Sequence, residues 1–165
     1  MKEELIRLEE QVRRAFEGEA WHGPAVLELL ADVSAEQAAA HPIPGAHTIW
    51  EIVGHLAATY RLVLQRIEGH SGNLSGEQDW PAVVDHSADR WHAAIEDLKK
   101  LNQQVRLAIL AFAEDRLDQM LAPGHSSAYA HFAGLPQHDA YHAGQIALLR
   151  KNPNSRRSSG TGPGT

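Results

Sequence analysis

Two histidines, His138 and His142, sit four residues apart in the run HDAYHAGQIALLRK. The run reads as helix, and on a helix that spacing puts both imidazoles on one face, about 6 Å apart along the axis. Two neutral imidazoles so placed can grip one transition-metal ion. Two ligands rarely make a tight site, so a third is expected from elsewhere. The best candidate is His55, in the run HTIWEIVGHL. Convergence of the three would leave open coordination positions on the ion, the arrangement of catalytic rather than structural zinc.

The flanking residues favour this choice. His55 lies between Gly54 and Leu56 on a helix whose apolar residues face the core, and Gly54 and Gly144 each sit near a proposed ligand. Glycine inside a helix costs about 0.8–1.0 kcal/mol relative to alanine, so a compensating close approach of helices is expected at both positions. Gln145 and Leu149 continue the face of His138 and His142. His131, seven residues before His138, shares that face about 10 Å along the axis, either lining a pocket or playing a structural part. Trp21, His22, Trp50, Tyr141 and Gln145 are the other candidates for the pocket wall. Trp50 and Trp21 have core packing as the competing reading, and Tyr141 has packing on a neighbouring helix. His47 is placed at the pocket mouth or in solvent. The segment His-Asp-Ala-Tyr-His also approaches the zinc-peptidase pattern H-E-x-x-H. Asp139 is one methylene short for that role and points about 100° from the ligand face. It is therefore read as facing solvent or a partner helix, and the peptidase reading is set aside.

The elements that must position these residues are helical. Leu5, Leu8, Val12 and Phe16 form a narrow apolar stripe that stops near Gly18. Pro24 suits the first turn of a short helix, and Ser34 with Gln37 marks a capping box for another. Residues 41–45 break the chain. Thr48 with Glu51 is a second capping box, opening a helix that carries Ile49, Ile52, Val53, Leu56, Val63, Leu64 and Ile67 and ends at Gly69. Residues 69–86 read as a long loop. Ser87 caps a third long helix bearing Trp91, Ile95, Leu98, Val105, Ile109 and Phe112, with Asn102 intruding on the same face. A fourth runs from about Ser127 to Lys151, and Pro136 either kinks it or starts it. No stretch alternates like a strand. Four long helices joined by a long second-to-third connection predict an all-α four-helix bundle, with short extra helical turns between the first two. Residues 1–151 are expected to form one domain and 152–165 a disordered tail.

The chain has 165 residues, 11 of them histidine, and no cysteine. Disulfides, thiolate metal sites and a cysteine nucleophile are therefore excluded, and any thiol chemistry must take its thiol from the substrate. A formal net charge of −6 argues against general affinity for nucleic acid or an anionic membrane. The N-terminus lacks a signal-peptide core and no apolar run approaches membrane-spanning length, so a cytoplasmic location is expected.

The pairing of HTIWEIVGHL with HDAYHAGQIALL resembles the DinB/YfiT superfamily of helical metal-binding proteins, over roughly residues 5–151. The resemblance implies an up-down-down-up four-helix bundle, commonly dimeric. It implies a metal triad of one histidine from the second long helix and two from the fourth, carried over as His55, His138 and His142. It further implies a metal-dependent transferase that activates a low-molecular-weight thiol. A related hydrolase using water and a non-catalytic metal-binding or stress-response module remain alternatives. Imidazole ligands favour zinc or nickel, then iron or copper, over magnesium or calcium.

Overall fold

The computed structural model describes residues 3–151, so the expected disordered tail lies outside the described residues. Six α-helices follow in order: α1 (Glu3–Glu17), α2 (Val26–Leu30), α3 (Ala35–Ala39), α4 (Ile49–Ile67), α5 (Ala88–Ala111) and α6 (Ala128–Lys151). Among the described residues there is no strand, only an isolated bridge between Met120 and Ser127. No helix among them is long and apolar enough to cross a membrane.

Local chemistry sets the helix ends. Ser34 Oγ accepts the Gln37 N–H at 3.2 Å while Gln37 Oε1 accepts the Ser34 N–H at 3.1 Å, opening α3. Thr48 and Glu51 repeat the exchange at α4, at 3.1 and 2.8 Å. Each box satisfies two N–H groups that the first helical turn leaves orphaned. The short helix expected at Pro24 begins two residues later, at Val26, where the Glu28 carboxylate accepts the Ala25 N–H at 2.8 Å. Gly69 follows the end of α4 with φ +93°, a conformation that costs a side-chain-bearing residue more than glycine. Ser87 Oγ accepts the Arg90 N–H at the start of α5.

Pro136 does not start the last helix. It lies inside α6, which runs unbroken from Ala128. Proline removes one N–H from the ladder, and the apolar packing on either side of it holds the helix together. Phe132, Leu135, Ile146 and Leu149 are all buried.

The long helices share one core. α4 packs against α5 and α6, and α1 packs against the same two. Phe16, Tyr60, Phe132, Leu5, Ile52, Leu56, Leu98, Ile109 and Ile146 are essentially inaccessible to solvent. Burying a side chain of this size contributes about 1.5–3 kcal/mol before entropy is counted. Asn102, the polar residue on the apolar face of α5, is also buried, and its Nδ2 donates to Tyr60 Oη at 3.2 Å. The Trp91 indole N–H reaches the Val33 carbonyl at 2.7 Å, tying α5 to the segment between α2 and α3.

Candidate metal centre

His55 stands on the second turn of α4, and His138 and His142 on successive turns of α6. The α4–α6 packing brings the three together. His138 Nε2 lies 3.0 Å from His55 Nε2 and 3.1 Å from His142 Nε2. The three ligand nitrogens all lie within 4.8 Å of one another. His55 and His142 are buried and His138 is half-buried.

The outer nitrogens decide which way the lone pairs point. His55 Nδ1 sits 3.0 Å from the Asp79 carbonyl oxygen and 3.0 Å from Asp79 Oδ1, so its Nδ1–H donates there. His142 Nδ1–H donates to Gln145 Oε1 at 2.7 Å. Both rings then present a bare Nε2 to the centre. His138 has no partner at its buried Nδ1. One proton on His138 Nε2 could serve only one of its two neighbours, leaving at least one lone pair facing another nitrogen. A cation at the centre satisfies all three. Metal–nitrogen bonds of about 2.0–2.1 Å in tetrahedral geometry separate ligand nitrogens by roughly 3.3 Å, close to the two separations from His138. The donor set thus fits a divalent transition metal.

Electrostatics favour the neutral form of the two α6 rings. Burial, reinforced by His142 and His55, holds His138 down to about 4. Burial also lowers His142, against the opposing effect of its Gln145 hydrogen bond. Neutral imidazole is the metal-binding form.

Aromatic rings enclose His55. The Trp80 indole stacks on it with centroids 4.1 Å apart and planes 5° from parallel. His47 stacks on the other face of Trp80 at 3.5 Å and 4°. His47 Nδ1 lies 3.3 Å from Glu51 Oε2, the same oxygen that accepts the Thr48 N–H.

The remaining pocket candidates scatter. Gln145 holds His142, and Tyr141, largely exposed, lies edge-on to His142 at 5.0 Å. Trp50 is buried against Trp91 at 5.1 Å. His131 accepts from Arg66 Nη1 at 2.9 Å and donates to the Ser127 carbonyl at 3.0 Å. Trp21 is fully exposed and, with His22, lines a different groove, between α1 and the Tyr129–Ala140 side of α6. Asp139 is wholly buried and accepts from Tyr60 Oη at 2.8 Å, so it faces α4 and not solvent. The expected close approach of helices at the two glycines is absent. A Cβ at Gly144 would meet nothing within 4 Å, and one at Gly54 would touch only Pro81, in the loop, at 3.7 Å. Trp80 and Asp79 were not foreseen. Their one sequence signal is the run Asp-Trp-Pro at 79–81 within the 69–86 loop.

The model of one family, described as the DinB superfamily, matches residues 20–146. No curated protein and no solved structure matches the chain.

Proposed function

The chain belongs to the DinB superfamily, and from that premise we propose that it holds one divalent transition-metal ion on His55, His138 and His142. The observation that carries this reading is the meeting of three imidazole Nε2 atoms, two of them left bare by Nδ1–H bonds to Asp79 and Gln145. Zinc or nickel suits three neutral nitrogens best, with iron or copper next. The same reading carries an up-down-down-up helix order, a single domain over residues 1–151, a homodimer and a cytoplasmic location.

On this reading the protein is a metal-dependent transferase acting through a low-molecular-weight thiol. A bound divalent ion lowers the pKa of a coordinated thiol or water toward neutrality. The chain has no cysteine, so the thiol belongs to the substrate. The protein's part is to keep His138 and His142 neutral by burial, and to orient His55 and His142 through Asp79 and Gln145. A second reading, a non-catalytic module whose ion joins α4 to α6, draws on the near-complete burial of His55 and His142, at 9% and 4% exposed.

Metal analysis of the purified protein tests the site, and thiol-transfer assays on wild type and His142→Ala test the activity. One equivalent of ion in wild type, lost in His142→Ala together with thiol transfer, supports the transferase. Loss of the ion with no activity in either protein supports the module. A wild type that holds no ion refutes both.

A further inference from the structure

His138 and His142 are set relative to each other by the helix they share. His55 arrives on a different helix, and its ring must be held in place by something else. Three consecutive residues of the loop between α4 and α5 meet it there. Asp79 takes the His55 Nδ1–H on its carbonyl and carboxylate oxygens. Trp80 covers one face of the imidazole. Pro81 lies against Gly54, one residue before the ligand.

We propose that residues 79–81 form a strap across α4 and that Trp80 is the positioning residue for His55, holding its ring in the orientation that completes the three-histidine centre. The strap is held at its start and on the outer face of Trp80. Before it, a 3-10 turn (Gly76–Gln78) sends the Asp79 and Trp80 N–H groups to the Gly76 carbonyl at 3.1 and 3.0 Å. Gly76 turns the chain there with φ +51°. On the far face of Trp80, His47 braces the indole, and Glu51 steadies His47 from the first turn of α4. A line of contacts thus runs from the α4 capping box through His47 and Trp80 to His55. Near-parallel rings at 3.5 and 4.1 Å permit sliding in their planes but resist tilting. Tilting is the motion that would swing His55 Nε2 away from the centre. The Asp79 hydrogen bonds block the remaining rotation in the plane.

This inference rests on the metal reading above, and the experiment separates the two. Full-length protein is stripped with chelator and titrated with Zn²⁺ against a chelating indicator, for wild type, Trp80→Ala, Trp80→Phe, His55→Ala and the Trp80→Ala/His55→Ala double variant. Partners that orient a metal ligand are typically worth 10–100-fold in affinity, so Trp80→Ala is expected to bind that much more weakly. Trp80→Phe, which keeps a stacking ring, is expected to retain most of the affinity. Trp80→Ala is expected to cost nothing further once His55 is gone, because it acts through that ring. A merely structural tryptophan would weaken both backgrounds alike.

A second measurement needs no destabilising variant. Ni²⁺, an open-shell ion, quenches an adjacent indole, and Trp50, Trp91 and Trp21 lie elsewhere in the fold. Wild-type fluorescence is expected to fall as Ni²⁺ fills the site, and the fall is expected to vanish in Trp80→Phe. Wild type and Trp80→Ala binding Zn²⁺ equally, or equal quenching in wild type and Trp80→Phe, overturns the strap and leaves the metal site standing. A wild type that binds neither ion overturns the metal site, and the strap with it. Should Trp80→Ala fail to fold, the fluorescence comparison decides.

Discussion

Tyr60→Phe removes a single oxygen from the buried polar network beside the histidines. Tyr60 is fully buried, its ring edge-on to Phe16 at 6.0 Å, and phenylalanine keeps that packing. The lost hydroxyl donates to Asp139 Oδ2 at 2.8 Å and accepts from Asn102 Nδ2 at 3.2 Å. Asp139 Oδ1 already lacks a partner, so the variant strips the carboxyl of its remaining hydrogen bond and strands the Asn102 N–H. Each of the two stranded buried groups costs about 1–3 kcal/mol, for a sum of about 2–6 kcal/mol. In a domain of this size that lowers Tm by roughly 4–24 °C. The loss also depends on pH. Burial pushes the Asp139 carboxyl from 3.8 up to about 7, while the Tyr60 hydrogen bond pulls it down. A carboxyl whose folded pKa lies above its unfolded value favours folding at low pH. That contribution drains away as pH rises from about 4 to about 7. Without the Tyr60 donor the folded pKa climbs further, and each added unit costs about 1.4 kcal/mol once the solution is alkaline to it. The destabilisation is therefore larger near pH 8 than near pH 5. Urea unfolding followed by far-ultraviolet circular dichroism, in chelator at both pH values, measures it. A loss below about 0.5 kcal/mol, the range of an ordinary surface substitution, or a larger loss at the acid end refutes this account of the network.

Gly144→Ala places a methyl in open space on a helix and is expected to raise stability by up to about 1 kcal/mol, as is Gly54→Ala, whose methyl meets Pro81 at ordinary contact distance; unchanged or lower unfolding midpoints argue otherwise. Thr48→Ala breaks the capping box of α4 and is expected to cost about 1 kcal/mol in chemical denaturation. Chelation of the loaded protein is expected to lower Tm in wild type and leave it unchanged in His138→Ala. An ion present at 100 times its Kd stabilises the fold by about 2.7 kcal/mol, which scanning calorimetry resolves.

Much of the helical framework was legible because it is written locally. The 3.6-residue recurrence of Leu5, Leu8, Val12 and Phe16, the Ser34–Gln37 and Thr48–Glu51 boxes, and Ser87 before α5 are settled within a turn or two of chain. The shared face of His138 and His142 is of the same kind, since helix geometry alone sets it. Pro136 shows where local rules stop. Its missing N–H marks a break, yet the buried residues on both sides of it carry α6 through. Apart from the meeting of His55 with the α6 pair, contacts between distant residues were not legible. Asn102 looked like a blemish on an apolar face until Tyr60, itself bonded to Asp139 on a third helix, accepted its amide N–H. Trp80 looked like one residue of a polar loop, and Trp21 and His22 like part of a pocket they do not line.

The sequence by itself determined the class of fold, where most helices begin and end, and which histidines could share a helix face, because propensity, capping and periodicity act between near neighbours. Only the tertiary structure decided that α4 delivers His55 to the α6 pair, that Asp79 and Gln145 turn their Nδ1–H bonds outward, and that Trp80 lies flat on the ring. Those arrangements depend on how helices pack and where the 20-residue connection between α4 and α5 comes to rest. Both are set by the summed burial of many side chains far apart in the chain.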